Sequence, residues 1–148
     1  AESLAICEWA AEQAPALWPA DGTRRALARS AAAVMHAGFA SLRAEAPMNL
    51  RRRTDASRMT AAGLADAARM DALWREALHR FGGPWLFGAW SIADAMYAPA
   101  VSRFVTYSIP RSAEADAYIS TTFADAHLGD WVRAAEAETR VLARTDRA

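Results

Sequence analysis

Few side chains in this sequence have the type and spacing that chemistry requires. Cys7 is the only cysteine, and His79 and His127 lie too far apart for metal-ligand spacing, so we predict no disulfide and no metal site. Ser91 and Asp94 pair a hydroxyl with a carboxylate three residues apart, which is the spacing of a helix capping box. That pair predicts the start of a helix rather than a reaction.

The capping pair belongs to residues 82–107, which read GGPWLFGAWSIADAMYAPAVSRFVTY. Glycine and proline at the start of this stretch do not easily continue a helix, so we predict a buried turn and then a helix beginning at Ser91. The stretch resembles the helical C-terminal domain of the glutathione transferase family. The residues that stand where the family has them are Gly83, Pro84, Leu86, Gly88, Ser91, Ile92, Ala93 and Asp94.

Residues 2–6, which read ESLAI, are similar to the helix that closes the family's thioredoxin-like N-terminal domain. In the family, this serine and the helix N-terminus hold the γ-glutamyl carboxylate of glutathione, because free N–H groups and the helix dipole favour an anion. The resemblance therefore implies Glu2 and Ser3 as glutathione contacts. The alternative is that Ser3 is only an N-cap. The family's catalytic Ser, Tyr or Cys precedes this helix. We therefore expect that this chain is a piece of a longer protein and that the piece itself contains no catalytic residue.

A long helix is predicted over residues 23–45, where apolar side chains recur at intervals of three and four and Asp21 can serve as the N-cap. By the resemblance, Met35, His36 and Phe39 face the electrophile pocket or a dimer partner. For His36 the alternative is a structural residue held by hydrogen bonds.

Three further pocket candidates follow. Arg51 belongs to a basic run that is either a solvated surface or, as in the bacterial transferases that this chain resembles, a wall of the active-site cleft that meets an anion. Tyr97 and Arg103 lie on the predicted central helix, residues 92–107, and are candidates for the pocket wall. Core packing is the alternative for Tyr97, and Pro99 predicts a kink in this helix.

The rest of the pattern predicts three more helices and no strand, and therefore an all-α fold that resembles the transferase C-terminal bundle. The helices are residues 59–81, capped by Thr54, Asp55 or Ser57; residues 113–126, capped by Ser112; and residues 131–139, beyond an interruption at Gly129 and Asp130. The predicted divisions of this fragment of a two-domain protein are a final thioredoxin-domain helix at 1–13, an interdomain linker at 14–22, the helical domain at 23–140 and a tail at 141–148.

Composition narrows the function classes. The chain has 148 residues, 53% of them hydrophobic, and its 17 basic and 17 acidic residues cancel. This balance gives no reason to expect nucleic acid or a membrane surface as a partner. The single cysteine suits a reducing cytoplasm, and no apolar run approaches the roughly 20 residues that span a bilayer.

The resemblance implies a bacterial, cytoplasmic, homodimeric transferase that joins the glutathione thiolate to a hydrophobic electrophile or exchanges it. This chain would supply the substrate-pocket wall and the dimer surface, and alone it is expected to be inactive. One alternative is a non-catalytic glutathione-binding or scaffold protein of the same fold. Another is a helical module without a glutathione partner.

Overall fold

We describe residues 2–141 in a computed structural model of the chain. This part is helical and contains no β-strand, which confirms the predicted all-α class. A short 3-10 turn at Pro15–Leu17 lies in the predicted linker. The seven α-helices are α1 Ser3–Gln13, α2 Gly22–Ala37, α3 Ala40–Glu45, α4 Ala61–Phe81, α5 Ile92–Thr106, α6 Ala113–Ala124 and α7 Ala126–Ala137.

The predicted long helix over residues 23–45 is wrong in one respect: it is broken between α2 and α3. Phe39 adopts a left-handed backbone with φ of 58° while its ring is 1% exposed, so the chain leaves the helix in order to bury the ring. The new helix start is capped from α4, where Asp66 accepts hydrogen bonds from the backbone N–H groups of Ser41 and Leu42 at 3.0 and 3.2 Å. A cap supplied by another helix is invisible to local periodicity.

The start of α4 also differs from the prediction. Its N-cap is Thr60, whose hydroxyl accepts from the N–H groups of Ala62 and Gly63, and none of Thr54, Asp55 or Ser57 serves. Glu45, the last residue of α3, accepts from both the backbone N–H and the hydroxyl of Thr60 at 2.8 Å. The cap is therefore selected by a contact between two helices.

The boundary between the last two helices lies earlier than predicted. Asp125 ends α6 and caps α7, because its carboxylate accepts from the N–H groups of His127 and Leu128 at 3.0 Å. Gly129 then continues α7 and does not interrupt it. Most of the predicted tail, residues 142–148, lies outside the described residues.

The predicted starts of α5 and α6 are confirmed, with α5 ending one residue earlier than expected. The middle of α5 lies in the core beside α4 and α6. There the Trp74 ring contacts the rings of Tyr97, Phe104 and Tyr118 at centroid distances of 5.8, 5.0 and 5.2 Å. These aromatic contacts add to the burial of large apolar area and hold the three helices together.

The carboxylate of Asp94 joins the turn before α5 to α5 itself and to α6. Asp94 is 1% exposed. Oδ1 accepts from the N–H of Leu86 and the hydroxyl of Tyr118, both at 3.1 Å, and Oδ2 accepts from the N–H and the hydroxyl of Ser91 at 2.9 and 3.2 Å. Burial raises the pKa of this carboxyl, and the four hydrogen bonds oppose that rise. The predicted capping box is present and is part of a buried network.

Replacing this carboxylate should destabilise the whole fold. We expect Asp94→Ala to lower the free energy of unfolding by about 3 kcal/mol, because several buried donors lose their acceptor. Chemical denaturation followed by circular dichroism measures the change. The control is Asp130→Ala, whose carboxylate is 71% exposed and pairs with Arg133, and we expect it to change stability by about 0.5 kcal/mol or less. Equal effects of the two substitutions would contradict a central role for the network.

Candidate functional site

Two clefts border α5, and Ala95 and Pro99 line both of them. The first, which we name the basic cleft, has a volume of about 290 Å³ and lies where the start of α1, the end of α2, α3 and α5 meet. Its lining residues are Ser3, Met35, His36, Arg43, Ala95, Met96, Pro99 and Arg103.

The start of α1 meets the end of α2 through His36. The Ser3 hydroxyl oxygen lies 3.4 Å from His36 Nδ1, and Glu2 Oε2 lies 3.4 Å from His36 Nε2. The N-cap of α1 is Glu2 without a side-chain cap bond, so the alternative in which Ser3 is only an N-cap is wrong. Ser3 is the first helical residue, and its hydroxyl is available beside the free N–H groups of the first turn.

Arg103 projects from the second half of α5 and is held by carbonyl oxygens. Its Nε donates to Ala46 at 2.9 Å, and its Nη1 donates to Pro99 at 2.8 Å. Burial, with a smaller contribution from the nearby Arg43 charge, lowers the pKa of Arg103 to about 10. The guanidinium therefore remains positively charged at neutral pH.

Arg43 brings a second positive charge to the cleft from α3. Its Nη1 donates to the carbonyl oxygen of His36 at 2.9 Å, which fixes the side chain across the break between α2 and α3. Within residues 2–141, no carboxylate forms an ion pair with Arg43 or Arg103. The cleft therefore carries positive charge that the described part of the chain does not neutralise.

Part of the lining of the basic cleft is apolar. Met35 is 6% exposed and comes from α2, and Met96 packs partly buried on α5. Thioether side chains adapt their shape to an apolar ligand. The arrangement thus places two guanidinium groups beside an apolar wall, and it suits a ligand that is apolar with a negative group.

Five of the residues expected to contact glutathione or the substrate come together here. Ser3, Met35, His36 and Arg103 line the basic cleft, and Glu2 lies at its edge against His36. Sequence analysis missed Arg43. Helical spacing could not have found it, because Arg43 reaches the cleft across the break between α2 and α3.

Phe39 and Tyr97 lie in the core instead of the cleft. The Phe39 ring is buried beneath the guanidinium of Arg69, whose Cζ lies 4.6 Å from the ring centroid. Tyr97 is fully buried, and its hydroxyl donates to the carbonyl oxygen of Ala31 at 3.1 Å. Burial holds the pKa of the Tyr97 phenol well above its ordinary value, so it stays neutral.

Arg51 also lies away from the basic cleft. Its guanidinium donates to the backbone carbonyl oxygens of Glu138 and Arg140, beyond the end of α7. In this position Arg51 fastens the segment after α7 to the loop before α4. The structure therefore gives it a bracing role between two segments of backbone.

The second cleft, which we name the tryptophan cleft, lies on the other flank of α5 and has a volume of about 280 Å³. Trp85 and Trp90 come from the turn before α5, and Trp131 comes from α7. Trp90 and Trp131 are 40% and 38% exposed. Sequence analysis did not single out this cleft, because Trp131 is distant in sequence from Trp85 and Trp90.

The Cys7 thiol is not activated for nucleophilic attack. Burial and the neighbouring Glu8 raise the pKa of the Cys7 thiol, so this sulfur is a poor nucleophile at neutral pH. No group of three or more His, Cys, Asp or Glu residues in this part of the chain is placed to hold a metal ion. The basic cleft can bind an anion and an apolar group side by side.

A scan against protein-family models finds no match to this chain, and neither does a search of curated proteins. In residues 2–141, each helix is too short or too polar to cross a membrane. The sequence resemblance and the basic cleft are therefore the two features of this chain that bear on its function.

Removing the Tyr97 hydroxyl tests its place in the core. We expect Tyr97→Phe to lower the free energy of unfolding by about 1 kcal/mol, because the bond to the Ala31 carbonyl is lost in a buried site. Urea denaturation followed by tryptophan fluorescence measures it. An unchanged stability together with altered ligand binding would instead place the hydroxyl at the cleft.

Proposed function

We propose that this chain is the helical C-terminal part of a glutathione transferase, preceded by the last helix of its thioredoxin-like domain. The observation that carries the proposal is the position of Ser3. This residue begins α1 and lines the same cleft as Met35 and His36 from α2 and Arg103 from α5. The proposed glutathione contact and the proposed electrophile pocket are therefore adjacent, which is the arrangement that conjugation needs.

In the proposed reaction, glutathione binds with its γ-glutamyl carboxylate at Ser3 and the first turn of α1, and Glu2 contributes at the same end. The thiol loses its proton to solvent. The thiolate sulfur then forms a C–S bond with a carbon of the electrophile, and a leaving group departs with its bonding electrons. Residues of the other half stabilise the thiolate, and this chain orients the electrophile.

The exposed face of α1 supports a further part of the proposal. Ile6 and Trp9 are 53% and 65% exposed, and large apolar side chains that lie together in this way mark an interaction surface. We assign this face to contact with the thioredoxin-like half. A homodimer and a cytoplasmic location also belong to the proposal, as does the absence of nucleic acid and membrane partners.

A non-catalytic protein that binds glutathione with the same fold is the second candidate. The same fold allows it, because a fold does not fix a function. The two candidates differ in turnover and not in affinity. Kinetics on the longer protein that we propose contains this chain can separate them.

The proposed function predicts activity for the longer protein but not for this chain alone. The longer protein should conjugate glutathione to 1-chloro-2,4-dinitrobenzene, and the 148-residue chain alone should give no rate above the uncatalysed reaction, because thiolate stabilisation comes from the other half. Absorbance of the conjugate measures both rates. Glutathione binding without turnover by the longer protein would favour the non-catalytic candidate, and turnover by the chain alone would contradict the proposal.

The proposed function also predicts an effect of Ser3 on glutathione affinity. In the longer protein, Ser3→Ala should weaken glutathione binding about tenfold by calorimetry, since a charge-assisted hydrogen bond to the γ-glutamyl carboxylate is lost. Ser120→Ala is the matched control: its hydroxyl is exposed on α6 and donates to the carbonyl oxygen of Asp116. Equal affinity of the wild-type protein and Ser3→Ala would remove Ser3 from the glutathione site.

A further inference from the structure

We infer that the electrophile taken by the basic cleft carries a carboxylate, which Arg43 and Arg103 hold while its apolar body lies against Met35 and Met96. This inference rests on the proposed function and names the substrate class of the same site. It assigns a ligand group to two arginines, one of which sequence analysis did not single out.

The first step is the unused hydrogen-bonding capacity of the two guanidinium groups. A guanidinium has five N–H donors in a planar fork. Arg103 uses Nε and Nη1 for the carbonyl oxygens of Ala46 and Pro99, and Arg43 uses Nη1 for that of His36. Among the described residues nothing accepts from Nη2 of either side chain, and a carboxylate is the group that this fork binds in two-point geometry.

The second step is the charge around the two arginines. Partly buried arginine is normally paired with a carboxylate, because an unpaired charge loses hydration without compensation. Here Arg103 is partly buried, and the nearby Arg43 charge disfavours its protonated form. The nearby carboxylate of Glu2 is 79% exposed and lies against His36, so the structure leaves the arginine pair to an anion from outside.

The carboxylate that the arginines bind must belong to one of the two substrates. Glutathione and the electrophile are the two sources available in the proposed reaction. Met35, Met96 and Pro99 line the cleft beside the arginines, and such a wall suits an apolar body rather than a peptide. With a volume of about 290 Å³, the cleft fits a small ligand such as one substituted aromatic ring.

A pair of aromatic electrophiles that differ only in charge tests the inference. The 148-residue chain is titrated with 4-chloro-3-nitrobenzoate and with the neutral 4-chloro-3-nitrobenzamide, with binding followed by NMR. We expect the carboxylate to bind about tenfold tighter than the amide, and the preference to shrink at high salt. Equal affinities would overturn the inference.

Variants assign the preference to the two arginines. Arg103→Met and Arg43→Met should each reduce it to about twofold or less, and Arg43 is exposed, so its replacement should leave the helices intact as judged by circular dichroism. Arg75→Met, on the exposed side of α4, is the matched control and should keep the full preference. A preference that survives in both cleft variants would overturn the assignment.

The same variants separate this inference from the proposed function. Each variant, introduced into the longer protein, is titrated with glutathione. If Arg43→Met and Arg103→Met weaken glutathione and the benzoate preference is absent, the arginines serve glutathione and the inference fails while the proposed function stands. If the benzoate preference follows the arginines but the longer protein neither binds nor turns over glutathione, the cleft binds carboxylates and the proposed function fails.

Discussion

The buried carboxylate of Asp94 is the interaction on which the rest of this structure depends. It satisfies donors from the turn before α5, from the start of α5 and from Tyr118 of α6. A carboxylate removed from water is costly unless donors surround it, so the three segments must take one relative position for the cost to be met. Both clefts border α5. The hydrogen bonds of Asp94 therefore fix the start of α5, the helix that borders both clefts.

Local signals in the sequence were sufficient for the elements that cap themselves. Ser91 with Asp94, Ser112, and the left-handed Gly82 after α4 act within a few residues, and the ends they predict are found. The elements that were mispredicted depend on distant contacts. Asp66 caps α3 from α4, and Glu45 selects Thr60 from α3, so no window of neighbouring residues contains the reason for either helix start.

The difference between local signals and distant contacts also explains which site residues could be predicted from the sequence. Helical spacing placed Met35, His36 and Phe39 near one another, but spacing does not tell a core face from a cleft face. The break after Ala37 turns Phe39 inward and leaves His36 at the cleft. Arg43 reaches the cleft because its guanidinium spans that same break to the carbonyl oxygen of His36. A deviation from regular helix thus completes the basic cleft.

The net charge of the chain does not reveal the positive charge of the basic cleft. The chain has equal numbers of basic and acidic residues, and by that measure neither nucleic acid nor a membrane surface is expected as a partner. Yet recognition depends on the local field, and an uncompensated guanidinium in a partly desolvated cleft interacts more strongly than a solvated surface pair. Arg29 with Glu8 and Arg111 with Asp116 illustrate the solvated case, since each is neutralised where it lies. Within residues 2–141, Arg43 and Arg103 have no such partner and lie beside an apolar wall, and that contrast favours a ligand that is both apolar and anionic.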